Sequence, residues 1–131
     1  MIFSVGDSFY ESFIVTEDVY NGFIHVFGDR NPLHTDEQFA IEKGFKGMVM
    51  HGNILNGFLS YFVGERLPSK DVIIHAQEIK FPNPVYMNDR LEFEAIVGEI
   101  SEAVEVAIIK FKFRNTLGKI VGKGEIQIGM L

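Results

Sequence analysis

Asp29 and His34 are the side chains whose types and spacing best suit proton transfer. They lie five residues apart in Phe27-Gly28-Asp29-Arg30-Asn31-Pro32-Leu33-His34. A carboxylate and an imidazole that meet at one water can share general-base and general-acid work, and burial can tune both for it. Gly28 permits backbone angles closed to other residues. Pro32 fixes its own φ and drives Asn31 toward an extended conformation. The stretch therefore predicts a short, stiffened loop rather than a helical turn, with Asp29 and His34 held toward one point. The same residues also fit an Asx turn at a helix end followed by a surface histidine. Spacing alone leaves both readings open.

The flanking elements must do the positioning. Ser8 to Val15 alternates as a first strand, and Thr16 stands at a helix N-cap with Glu17 and Asp18 in the first turn, where the dipole favours negative charge. Val19, Tyr20, Phe23, Ile24 and Phe27 recur at helical spacing. Asp18, Asn21, Gly22 and His25 form the wet face, so His25 is read as a surface residue without function. The helix should stop at Gly28 and release Asp29 at its C-terminal end. Thr35-Asp36-Glu37 begins a short helix carrying Phe39, Ala40 and Ile41 inward and closed by Gly44. After a connector, a long helix is expected from about Gly52 to Glu65. Its apolar residues Ile54, Leu55, Phe58, Leu59, Phe62 and Val63 imply burial on most sides.

On the remaining side of that helix, Gly52, Asn53, Asn56, Gly57 and Ser60 make a small, polar stripe. Small residues serve close packing against a strand or a subunit equally well. The functional alternative is that the free N–H groups at the helix start hold a developing oxyanion, a reading that best suits Gly52. The remaining chain reads as strands over Val72 to Phe81, Asp89 to Glu99, Glu102 to Arg114 and Lys119 to Gly129, with turns at Asn88-Asp89 and Leu117-Gly118. In the third of these, Val104, Val106, Ile108 and Lys110 should face one way and Glu105, Ala107, Ile109 and Phe111 the other. His75 falls in a strand as a packed or edge histidine. Strand, helices and then four strands with short connections describe an α+β fold, an antiparallel β-sheet wrapped around one long central helix.

Composition bounds the function. A chain of 131 residues suits a single domain over 1–131. Its hydrophobic fraction of 47% and 13 phenylalanines indicate a packed globule. A net charge of -6 argues against nucleic-acid binding. The absence of cysteine removes disulfides, thiolate metal sites and a cysteine nucleophile, and is consistent with a reducing cytoplasm. The N-terminal residues lack a signal peptide's pattern, and the Ile54 to Val63 run is too short to cross a bilayer.

Gly28-Asp29, Asn31-Pro32, Leu33-His34 and Ala40 resemble the signature of the MaoC-like, (R)-specific enoyl-CoA hydratases. Val49-Met50-His51-Gly52 is similar to the His-Gly pair that opens the central helix in those hot-dog-fold proteins. Ser60 falls where members carry a supporting serine, and Phe81-Pro82-Asn83-Pro84-Val85 is similar to the strand that follows. The resemblance runs in order over most of the chain. Phe27 and Asn53 depart from it, standing where a small and an apolar residue are usual, and bear on substrate shape rather than chemistry.

The resemblance implies a hot-dog fold and a hydratase or dehydratase acting on acyl thioesters of coenzyme A or acyl carrier protein. Asp29 and His34 would be catalytic, Gly52 would hold the thioester oxyanion, and Asn31 and Ser60 would support the dyad. No metal or redox cofactor is implied, because the thioester itself acidifies the α-proton. A homodimer or higher homo-oligomer is expected, with no nucleic-acid or membrane partner. Arg30, Lys43 and Lys46 lie near the motif and could meet phosphates, although a solvated charged surface accounts for them equally. A hot-dog thioesterase and a non-catalytic acyl-thioester-binding module are the alternatives.

Overall fold

The computed structural model describes residues 1–131, in which one antiparallel sheet curls around a short buried helix. The elements in chain order are β1 (Ser8–Ile14), α1 (Glu17–Phe27), α2 (Pro32–Thr35), α3 (Glu37–Glu42), α4 (Ile54–Tyr61), β2 (Val72–Lys80), β3 (Arg90–Ser101), β4 (Val106–Arg114) and β5 (Ile120–Met130). The sheet order is β1-β3-β4-β5-β2, so β1 and β2 form its two edges. α4 continues into a π-helical turn over Phe62–Arg66, and the two together fill most of the span expected for the long helix. Helix bonding begins two residues later than expected, leaving Gly52 in the turn that leads into α4.

Leu55, Leu59 and Phe62 are buried beneath Phe93, Ile109, Phe113, Ile126 and Ile128 in one core cluster. Strands β3 and β4 alternate buried and outward residues as a one-sided sheet requires. Ala107, Ile109 and Phe111 point into the core, as their alternation predicts. The pattern fails at Val104 and Glu105, which lie in the turn before β4. There Glu105 takes a positive φ of 52° and Val104 is exposed. His75 sits at a bulge in edge strand β2, its ring lying over Gly129 of β5.

The β2–β5 contact depends on a bare backbone at Gly124. A Cβ there would lie 1.9 Å from the Glu78 carbonyl oxygen, which is main chain and has no rotamer to yield. Gly124→Ala should therefore cost about 2 kcal/mol, the usual scale for overpacking, read as a lower denaturant midpoint. Gly57→Ala, where a Cβ meets nothing within 4 Å, should instead stabilise by up to about 1 kcal/mol through helix propensity. Equal midpoints for the two variants would contradict the β2–β5 packing.

Candidate functional site

Four successive capping and turn contacts fix the chain from the start of α1 to the start of α2. Thr16 Oγ1 accepts from the Val19 N–H at 3.1 Å and starts α1. Gly28 ends that helix at φ 73°, its N–H donating to the Ile24 carbonyl. Asp29 Oδ1 then accepts from the Asn31 N–H at 3.1 Å, and Asn31 Oδ1 accepts from the Leu33 N–H at 3.0 Å. The second of these caps starts α2, with Pro32 in its first turn. The expected loop is thus corrected to a short helical turn, because proline at a helix start is pre-organised rather than disruptive. Asn31 meets Asp29 through its main-chain N–H, while its side chain caps α2 and bonds neither Asp29 nor His34.

His34 is held from both ends. Its Nδ1 lies 2.7 Å from the Val49 carbonyl, and its own carbonyl accepts from the Tyr20 hydroxyl at 2.5 Å. A carbonyl only accepts, so Nδ1 carries a proton, and in the neutral imidazole Nε2 presents the lone pair. Burial pushes the Tyr20 phenol above its usual pKa, which keeps it a donor. Phe27, expected on the inner stripe of α1, instead points outward and is 71% exposed. Ile41 of α3 is likewise turned out, leaving Ala40 as that helix's buried residue.

His51 completes the site. It is the one buried polar residue of the chain, 3% exposed. Its Nε2–H donates to the Asp29 carbonyl at 2.8 Å, and its ring stacks on His34 with centroids 4.0 Å apart. Phe23 closes the other side at 4.6 Å. One side-chain donor atom from each of Asp29, His34 and His51 lies within 4.8 Å of the others. Sequence reasoning saw His51 only as half of a His-Gly pair. The available signal was a histidine within an apolar run, Val49-Met50-His51, whose burial requires a hydrogen-bond partner. Two imidazoles and a carboxylate also suit a transition metal. His34 Nδ1 and His51 Nε2 are engaged with the Val49 and Asp29 carbonyls, which leaves one unbonded ring nitrogen on each.

Two cavities flank this cluster. One of about 440 Å³ is lined by His34, Gly52, Phe81, Pro84 and Val85. The other, about 810 Å³, lies between α1 and α4 and is lined by Val19, Phe23, Phe27, Asp29 and Phe58. Asn53 lines both. It accepts from Asn56 Nδ2 at 2.8 Å, and Asn56 Oδ1 accepts in turn from Gln77 Nε2 of β2. The Gly52 N–H donates to no protein group, so a donor is open beside His34. Ser60 is exposed on α4 and hydrogen-bonds to neither Asp29 nor His34. Its expected support of the dyad is therefore not made within one chain. Lys43 and Lys46 lie over the rings of Phe39 and Tyr86, and Arg30 is exposed.

The MaoC like domain model matches residues 7–117. The 3-hydroxybutyryl-CoA dehydratase of Methylorubrum extorquens is 35% identical over 79 residues, 60% of this chain and 50% of that protein. The (R)-specific enoyl-CoA hydratase of Aeromonas caviae is 31% identical over 100 residues, 76% of this chain and 75% of that protein. Among solved structures, the (R)-hydratase from A. caviae involved in PHA biosynthesis superposes with a TM-score of 0.89 at 26% identity, covering 98% of both chains.

Proposed function

The chain belongs to the MaoC-like domain family, and from that premise we propose that it hydrates trans-2-enoyl thioesters or dehydrates (R)-3-hydroxyacyl thioesters. The observation that carries the reading is the free Nε2 of His34 beside the Asp29 carboxylate, with Gly52 N–H unpaired in the cavity that His34 also lines. In the hydration direction, one water is held between Asp29 and His34. Its oxygen bonds to the β-carbon as the Cα=Cβ π bond breaks, its O–H proton passes to the dyad, and the dyad delivers a proton to the α-carbon. Electron density passes through the thioester oxygen, where Gly52 N–H stabilises the enolate-like charge. Dehydration runs the same steps backward.

The thioester carrier is coenzyme A or acyl carrier protein, and residues 1–131 act as one MaoC-like domain. No helix is long and apolar enough to cross a membrane; a cytoplasmic setting is proposed from the absence of cysteine. The protein is further proposed to assemble at least as a dimer, since edge strand β2 exposes Ile73 and Ile74. Light scattering at micromolar concentration should give at least twice the 14.9 kDa chain mass. A monomer would refute the assembly.

Crotonyl-CoA tests the chemistry. Hydration removes the conjugated-enoyl absorbance without releasing thiol. Thiol release would identify a thioesterase, and unchanged substrate that nevertheless binds would identify an acyl-binding module.

A further inference from the structure

His51 is buried and ionisable, and the proposed reaction assigns it no step. Its partners are on the page. Nε2–H reaches the Asp29 main-chain carbonyl at 2.8 Å, and the ring face carries the His34 ring at 4.0 Å. Phe23 and Tyr20 pack around it at 4.6 and 5.8 Å between centroids. Nδ1 is buried with no hydrogen-bond partner. Burying an unpaired polar atom costs stability. Phenylalanine would fill such a place among Phe23, Tyr20 and His34 without that penalty, so the one thing the imidazole adds is its Nε2–H donor. That donor reaches a residue otherwise held only by its local turn, because Asp29 is exposed and its side chain bonds only to the Asn31 N–H.

We propose that His51 is the positioning residue of the dyad. One side chain ties the backbone of Asp29 and bears the ring of His34, so the carboxylate and imidazole keep a fixed separation although they come from opposite ends of a turn. The proposal rests on the dyad reading above, and it places His51 outside contact with substrate. The group at position 51 has to present a donor, since its partner is a carbonyl, and a ring to bear His34, since the two rings pack 4.0 Å apart between centroids at a tilt of 31°.

His51→Phe separates these roles, keeping the flat ring and deleting the donor. His51→Gln restores an N–H at about the reach of Nε2 and loses the flat face. With crotonyl-CoA, His51→Phe should lower kcat at least tenfold and leave KM within threefold. Its melting temperature should be unchanged or higher, because an unpaired buried nitrogen has gone. His51→Gln should recover a substantial part of that kcat. The NMR cross-relaxation contact between the Asp29 and His34 side chains gives a readout that needs no substrate, since donor atoms of the two lie within 4.8 Å. His51→Phe should weaken that contact and His51→Gln keep it. Wild-type kcat and an intact contact in His51→Phe would overturn the proposal. So would equal impairment of both variants with normal folding by circular dichroism. If the wild type proved inert toward crotonyl-CoA, the family reading would fall, while the NMR contact would still decide for or against His51.

Discussion

Asp29→Asn and His34→Ala should each lower kcat at least a hundredfold, about 2.7 kcal/mol of transition-state stabilisation and the low end for a general acid–base group. Asparagine keeps the Oδ1 acceptor that caps the Asn31 N–H at 3.1 Å, so the turn should survive and only the proton chemistry be lost. Alanine at 34 also releases the Val49 carbonyl, so a modest stability loss should accompany the rate effect. The double variant should be little slower than either single one. Two groups acting on one water form a unit, and once one is gone the other has nothing left to share. Single-turnover kinetics on the three variants, with circular dichroism for folding, make the comparison. Near wild-type turnover in folded Asp29→Asn would remove the mechanism. Fully multiplicative losses would mean that the two residues act on separate steps.

Gly52→Ala is the second large effect. The Gly52 backbone does not need a positive φ, and the nearest atoms to an added Cβ belong to the Phe81 ring, at 3.1–3.3 Å. That ring is about half exposed and can swing aside, so the melting temperature should change little. The rate is different, because a methyl group beside the N–H crowds the place where the thioester oxygen must sit. Loss of one oxyanion donor costs about 3 kcal/mol in other enzymes, and a fall of that size is expected here. A protein that melts much earlier but turns over normally per folded molecule would make Gly52 a packing residue. Asp29 and His34 would then lack the electrostatic partner on which the mechanism depends.

The wrapped sheet was legible from local alternation, and the proximity of Asp29 to His34 from the family resemblance rather than from their spacing. Thr16, the acidic first turn and the 3.6-residue stripe marked α1, and alternation marked β3 and β4. Other features depend on what lies across space. Phe27 obeys the helical period yet stays exposed, at the rim of the cavity between α1 and α4 with Phe23 as its aromatic neighbour. Val104 continues the alternation of β4 but falls in the turn before it, where Glu105 leaves the extended region. Pro32 was read as a breaker, although with Asn31 as cap it starts α2. Ser60 sits in the expected helix on an exposed face. His51 is the most instructive omission. Its role depends on the Asp29 carbonyl, 22 positions away, and on a ring stack, neither of which has a signature in the spacing of residues.

Incubation with crotonyl-CoA in water enriched in oxygen-18 tests the central claim most directly, because it shows which carbon the activated water attacks. The expected result is one heavy oxygen in the 3-hydroxyl of an intact thioester of R configuration, formed by the wild type and nearly abolished in Asp29→Asn. Heavy oxygen in a free carboxylate, with coenzyme A released, would place the attack at the carbonyl carbon and contradict hydration at the Asp29–His34 site.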